Sequence, residues 1–172
     1  MSKIRFTEPN REILARRDSI INDLTRLVDP AGLITSTDEC RAYETDALTA
    51  YRKMPLAVVL PKTTEEVSAV LKYCHDTGVK VVPRGAGTSL AGGAIPSEDA
   101  VVLGLSKMNR VLAVNYDDRF IRVEAGVTNL SVTAVVAENG FFYAPDPSSQ
   151  LACTIGGNIA NNSGGAHCLK YG

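Results

Sequence analysis

The sequence predicts an α+β fold, a small β–α–β subdomain followed by a second α/β subdomain, and three features of the chain predict it. Two short apolar runs, residues 56–60 and 79–82, flank a stretch of helical periodicity that opens on Thr63-Thr64-Glu65-Glu66 and closes on Gly78. Beyond residue 100 the pattern changes to short strands joined by polar turns. Two glycine-rich stretches, residues 84–93 and 145–165, then lie at the ends of these parts, where a binding site would be built.

The first element is an amphipathic helix. Asn10 can cap it, and Ile13, Leu14, Ile20, Ile21, Leu24, Leu27 and Val28 recur at helical spacing up to Asp29-Pro30. Residues 37–43 read as a short capped turn and residues 45–54 as a loop. Residues 56–60 form a compact apolar strand stopped by Pro61. In the next helix, acidic residues in the first turn suit the helix dipole. Val67, Val70, Leu71 and Cys74 supply the buried stripe, and Gly78 fits a left-handed stop. Residues 79–82 are the second strand, so the β–α–β unit closes at Pro83. Residues 100–105, 111–115 and 119–125 read as further short strands, the last two as a hairpin. Residues 128–138 are helical up to Asn139-Gly140, and residues 141–144 are extended. The domain organisation expected is an N-terminal helical segment, 1–50, followed by one ligand-binding domain, 51–172. The chain stops at Lys170-Tyr171-Gly172 without a completed element after the second glycine stretch, so the fold is expected to be incomplete at its C-terminus.

Bulk properties narrow the function. Of 172 residues 45% are apolar and 22% charged, with a net charge of −1, so long-range attraction favours neither nucleic acid nor an anionic membrane. No apolar run approaches the roughly 20 residues of a membrane span, and the N-terminus lacks the apolar core of a signal peptide. A cytoplasmic protein is expected. Cys40, Cys74, Cys153 and Cys168 form no C-x-x-C pair, and His75 and His167 have no ligand-spaced company. Neither a disulfide framework nor a metal site is expected.

The chemistry rests on the two glycine stretches. In Pro83-Arg84-Gly85-Ala86-Gly87-Thr88-Ser89-Leu90-Ala91-Gly92-Gly93, glycines free the backbone N–H groups to form a concave nest for an anion. Arg84 adds charge, and Thr88 and Ser89 add hydroxyls. There is no Gly-Lys-Ser/Thr tripeptide, which excludes a Walker loop. Gly92-Gly93 would break any helix opening there, which disfavours a nicotinamide Rossmann site. In the second stretch, Pro145-Asp146-Pro147 restricts the backbone, while Ser148 and Thr154 supply hydroxyls. Gly156 and Gly157 allow close approach to a flat ring; Asn158, Asn161 and Asn162 offer amide groups for its edges. Both stretches have a plainer reading, the first as an exposed connection, the second as turns with Asn161-Asn162 capping a helix. Taken together they suggest one large phosphate-bearing cofactor held at two places.

These residues also resemble a known family. Pro61-Lys62-Thr63-Thr64-Glu65-Glu66-Val67, the stretch Pro83–Leu90 and Pro145-Asp146-Pro147-Ser148-Ser149-Gln150 are similar to the FAD-binding domain of the vanillyl-alcohol oxidase / p-cresol methylhydroxylase type. With Thr154-Ile155-Gly156-Gly157-Asn158 and Gly164-Gly165-Ala166-His167-Cys168-Leu169-Lys170-Tyr171-Gly172, the resemblance is strongest to its glycolate oxidase D-subunit group, near D-lactate and D-2-hydroxyglutarate dehydrogenases. It runs from about Glu39 to the last residue.

The resemblance implies a PCMH-type fold and FAD. Arg84, Gly85, Ala86, Gly87, Thr88 and Ser89 inherit the pyrophosphate. Pro145, Asp146, Ser148, Thr154, Gly156, Gly157, Asn158, Asn161, Gly164 and Gly165 inherit the ribityl chain and isoalloxazine ring. The first stretch contains no histidine of the kind that covalent members carry there, so non-covalent FAD is implied, with attachment at His167 or Cys168 beside the second stretch as the lesser alternative. So are oxidation of a 2-hydroxy acid (glycolate or D-lactate) with hydride transfer to flavin N5, and electron exit to a quinone or an iron–sulfur partner subunit, which could hold the protein near the inner membrane. In the family the base and the substrate- and metal-binding groups lie in a later domain, so this stretch alone is expected to hold FAD weakly and to turn over nothing. Two other readings stand beside it. One is a flavin-dependent enolpyruvyl-glucosamine reductase-like domain, against which Pro-Asp-Pro-Ser-Ser and His-Cys-Leu-Lys-Tyr-Gly argue. The other is a non-catalytic module that binds a nucleotide or a partner.

Overall fold

The computed structural model describes residues 6–171. Two helices come first, α1 (Arg11–Ala15) and α2 (Arg17–Leu24), followed by a two-residue strand β1 (Leu33–Ile34) and a short helix α3 (Thr37–Cys40). Next are β2 (Ala57–Val59), α4 (Thr64–Thr77), β3 (Lys80–Arg84) and β4 (Ala100–Gly104). The second part holds β5 (Val111–Asn115), β6 (Phe120–Val123), α5 (Asn129–Val136), α6 (Ile155–Asn161) and α7 (Cys168–Tyr171). The fold is α+β, as the sequence predicts.

Four strands form one sheet in the order β1-β2-β4-β3, with β2, β4 and β3 parallel and β1 antiparallel at the edge. Strands β2 and β3 are therefore not neighbours. The sequence predicts a β–α–β unit that closes without β4, with residues 100–105 in the second part; the structure inserts β4 between the two strands. The burial of β4 explains its place. All five of its residues are buried, as a strand covered on both faces requires. Residues of β3 are largely half-buried or exposed, which suits an edge.

The edge position also corrects the end of β3. The sequence reading stopped this strand before Pro83, but pairing continues through Pro83↔Leu103 to Arg84↔Gly104. Proline lacks an N–H, and an edge strand tolerates that loss on its open side. Arg84 is thus a strand residue, and the glycine stretch begins after it at the C-terminal end of β3.

Helix α4 forms as its caps demand. Thr63 accepts the Glu66 N–H at its hydroxyl (3.2 Å), and Gly78 ends the helix at φ 73°. Its Val70 and Cys74 are buried against the sheet. Ile13, Ile20, Leu24 and Val28 enter the same core with Leu56, Ala57, Val59, Val101 and Leu103, each full burial of such a side chain contributing about 1.5–3 kcal/mol. The expected single N-terminal helix is broken at Arg16, where φ −95° and ψ 7° depart from helix and the Arg16 N–H bonds Ile13 O in a tighter turn. Asp99, fully buried, accepts from Asn10 N (2.9 Å) and Ser97 Oγ (2.6 Å), with Lys80 Nζ at 2.8 Å. It ties the chain before α1 to the sheet.

Strands β5 and β6 pair as the expected hairpin, with Asn115 opposite Phe120. Residues 141–144 join no ladder; the Tyr143 N–H instead bonds Thr133 Oγ1 on α5 (3.1 Å). Residues 155–161 differ most from expectation, forming helix α6 rather than a loop. Thr154 is its N-cap, accepting the Gly157 N–H at 3.2 Å, and Asn162 closes it in the left-handed conformation. The cap and the i→i−4 bonds outweigh the cost of two glycines at about 1 kcal/mol each.

Candidate functional site

The two glycine stretches meet. A Cβ placed on Gly85 would lie 2.5 Å from Thr154 Oγ1 and 3.8 Å from Gly157 Cα. Main chain at the end of β3 thus runs directly against the first turn of α6, at a separation that only glycine permits.

The first stretch is open to a ligand. Among the described residues the backbone N–H groups of Ala86, Gly87, Thr88 and Ser89 donate to no protein acceptor. Gly87 has φ 71°, a conformation that side chains other than glycine rarely adopt. Successive free N–H groups around a left-handed residue form an anion nest. Ser89 Oγ accepts the Ala91 N–H (3.2 Å), so this hydroxyl also shapes the loop.

Arg84 underlies the loop. Its Nη1 donates to Thr45 O (2.6 Å) and its guanidinium lies 5.5 Å from the Tyr43 ring centroid. A Cβ on Gly87 would collide with this guanidinium. Burial lowers the Arg84 pKa, opposed by the charges of Tyr43 and Asp46. The Ala47 N–H donates to Gly87 O (2.9 Å), so residues 43–47 brace the loop from below. Asp46, only 4% exposed, accepts the Leu48 N–H through Oδ1 and leaves Oδ2 without a partner among the described residues.

The second stretch is internally committed. The Ile155 N–H bonds Val127 O, the Gly156 N–H bonds Ala125 O, the Gly157 N–H bonds the Thr154 hydroxyl, and the Asn158 N–H bonds Thr154 O. A Cβ on Gly156 would lie 2.9 Å from Ala125 Cβ, so this glycine lets α6 seat on the strand end. Buried Asn158 donates to Asn129 Oδ1 (2.8 Å), and Asn129 Nδ2 donates to Pro145 O (3.0 Å). Asp146 N–H bonds Gly164 O (3.2 Å), and Asp146 bridges to Gly165 at φ 74°. A Cβ on Gly165 would run into the Asp146 backbone. Thr154, Gly157, Asn158, Pro145, Asp146, Gly164 and Gly165 are therefore one connected frame. Ser148 and Asn161 are exposed beside it; Asn161 Nδ2 bonds back to Gly157 O (2.9 Å).

Two contributors, Asn129 and Asp46, escape the sequence analysis. Asn129 is the buried hub of the frame, while His167, which the sequence places beside the second stretch, is gripped by Asp146 through its backbone N–H and ring (Nδ1 to Oδ2, 3.0 Å). Asp46 lies in a stretch read only as loop. A polar residue at a buried helical position, as at Asn129, was the one available signal. For Asp146, burial raises the carboxyl, but the bonds and charge of His167 outweigh it and hold its pKa below the usual range.

This arrangement fits a dinucleotide. The nest at residues 86–89 offers donors for a diphosphate, and the close approach at Gly85 against Thr154 and Gly157 joins it to a rigid polar frame that can carry a ring system. Comparisons with known proteins agree. Residues 55–172 match the family described as "FAD binding domain". The chain is 49% identical over 156 residues to glycolate oxidase subunit GlcD of Escherichia coli (strain K12), covering 91% of this chain and 31% of that one. It is 39% identical over 155 residues to D-lactate dehydrogenase of Archaeoglobus fulgidus, covering 90% and 34%. Among solved structures, alkyldihydroxyacetonephosphate synthase superposes with a TM-score of 0.82 at 22% identity, over 98% of this chain and 32% of that one. p-Cresol methylhydroxylase with substrate bound gives 0.73 at 20% identity, over 88% and 30%. The fold is thus of the p-cresol methylhydroxylase type, and the chain spans about a third of the length of the curated relatives it matches.

Proposed function

The chain belongs to the FAD binding domain family, and from that premise we propose that it is the flavin-holding part of an oxidoreductase acting on a 2-hydroxy acid, glycolate or D-lactate. The observation that carries this reading is the meeting of Gly85 with Thr154 and Gly157 beside the open N–H groups of residues 86–89. Bound FAD would supply the acceptor for the hydride leaving the α-carbon. The protein's own residues bind and orient. The N–H groups of Ala86, Gly87, Thr88 and Ser89 take the pyrophosphate, each bond to a charged oxygen being worth about 1.5–3 kcal/mol. Arg84 supports the nest from beneath, and Thr154, Gly156, Gly157, Asn158, Asn161, Pro145, Asp146, Ser148, Gly164 and Gly165 form the frame for the ribityl chain and ring.

Attachment is non-covalent, and the electrons leave to a quinone or an iron–sulfur partner subunit; the relative named a subunit of glycolate oxidase supports such a partner. Among the described residues no helix is long and apolar enough to cross a membrane, and a partner subunit would bring the protein to the inner membrane.

The test is a visible spectrum and a melting curve. The protein produced from its whole reading frame should show yellow flavin bands that are released by denaturation, and FAD at about 100-fold over its dissociation constant should add roughly 2.7 kcal/mol of stability. Bleaching of those bands by glycolate or D-lactate would support the oxidoreductase. Flavin retained but not bleached by any 2-hydroxy acid would leave a binding module, and neither bands nor a melting shift would defeat the flavin reading itself.

A further inference from the structure

The Asp146 carboxylate is occupied at both oxygens by one neighbour. Oδ1 accepts the His167 backbone N–H at 3.3 Å, and Oδ2 lies 3.0 Å from its Nδ1. A proton held on Nδ1 by this carboxylate fixes the tautomer and leaves Nε2 as the free nitrogen. The His167 side chain is 62% exposed, so Nε2 is accessible.

The ring is also held from behind. Asp146 is bridged to Gly165, and its N–H bonds Gly164 O. Pro145 O is bonded by Asn129, which in turn takes a bond from Asn158 on α6. His167 therefore belongs to the same frame that meets Gly85.

Few positive groups are available there. Across residues 84–93 and 145–171 the basic side chains are Arg84, His167 and Lys170. Arg84 is turned to Thr45 and Tyr43, and the Lys170 ammonium lies 4.9 Å from the Tyr171 ring centroid. Only His167 is fixed by a carboxylate with a second nitrogen left to act. When a proton reaches Nε2, both ring nitrogens are donors, one to Asp146 and one directed away from it.

We propose that His167, positioned by Asp146, faces the flavin ring and stabilises the negative charge that the ring gains on two-electron reduction. Asp146 then acts through His167 rather than on the cofactor. The inference rests on the flavin reading above. Its physical basis is that a preorganised charge near a flavin's ring nitrogens tunes its electronics.

The experiment uses the protein produced from its whole reading frame with its flavin bound, and compares wild type with His167→Gln and His167→Lys. Each is equilibrated with a reference redox dye, and the ratio of reduced to oxidised flavin is read from the visible spectrum. His167→Gln leaves the Asp146 charge unanswered and should move that ratio at least tenfold toward the oxidised form, about 30 mV for a two-electron couple. His167→Lys restores a cation and should return the ratio to within about threefold of wild type, which a merely structural role of the imidazole would not do. Flavin bound to His167→Gln with an unchanged ratio overturns the inference and leaves the FAD reading intact. A wild-type protein without flavin bands overturns both. Where the Gln variant loses its flavin, the Lys variant decides: a wild-type ratio supports the assignment, and a tenfold shift toward the oxidised form overturns it.

Discussion

Gly85→Ala tests the contact on which the site depends. The new Cβ would sit 2.5 Å from Thr154 Oγ1, against an unstrained approach of about 3.5 Å, so the hydroxyl must retreat by about 1 Å. It has little room to do so. Thr154 is 5% exposed and its Oγ1 holds the Gly157 N–H at 3.2 Å as the cap of α6. Overpacking costs about 1–3 kcal/mol and loss of the cap about 1 kcal/mol, so the variant should lose roughly 2–4 kcal/mol. Thr154→Ala alone should lose about 1 kcal/mol. It also removes the hydroxyl that the added methyl group would strike, and the remaining Thr154 Cβ at 3.7 Å is at ordinary contact distance. The double variant should therefore be little worse than Thr154→Ala, giving a relieving coupling of about 2 kcal/mol. Urea midpoints for the three variants, with and without FAD, measure it. Losses that add to within about 0.5 kcal/mol would mean that the two stretches do not touch.

Three further outcomes follow from the same geometry. Asn129→Ala leaves the Asn158 amide and Pro145 O unpaired and should cost about 3 kcal/mol in urea unfolding. Gly165→Ala meets both φ 74° and the Asp146 backbone; it should lower the melting temperature by several degrees and weaken FAD binding in a fluorescence titration. Burial pushes the Asp99 carboxyl upward, but Lys80, Ser97 and the Asn10 N–H outweigh this and hold it at about 2, below its ordinary 3.8. Because the folded value is the lower one, this stabilisation is present above about pH 4 and is lost as pH falls toward 2. Thermal melts over that range should show a loss of roughly 2 kcal/mol that Asp99→Asn lacks.

Local rules carried the sequence reading where the chain decides locally. Thr63, Glu66 and Gly78 set both ends of α4, and the Tyr116-Asp117-Asp118 turn between apolar runs set the hairpin. The order of strands in the sheet is a different kind of fact. Nothing near residue 100 says that β4 slides between β2 and β3; only its uniform burial does, and that is a property of the assembled sheet. Residues 155–161 form a helix against sequence expectation for a similar reason. Two glycines argue against a helix, but the Thr154 cap and the seat that Gly156 finds on Ala125 depend on residues 125–128, about thirty positions earlier in the chain. The site's residue types were legible; its division of labour was not. Asn129 lies outside any glycine signal, and its role, like that of His167 against Asp146, comes from partners distant in sequence.

That division of labour explains how two stretches of similar composition do different work. After Arg84 the glycines leave donors free, with Gly87 turning the backbone so that successive N–H groups point outward. From Ile155 to Asn158 the N–H groups are all bonded within the protein, and Gly156 and Gly165 serve instead to let main chain pack on main chain. Among the described residues, the run of successive free N–H groups lies in the first stretch, while residues 155–158 contribute shape and rigidity. Charge follows the same logic. Arg84 is bonded to Thr45 and offset by nearby Asp46, so it cannot by itself supply the attraction for a diphosphate. In the proposed site the free N–H dipoles would supply the local attraction, and their aim depends on Arg84 and Ala47 holding the loop in place. If the loop holds a diphosphate as proposed, binding strength would follow how rigidly residues 43–47 and α6 clamp the loop between them.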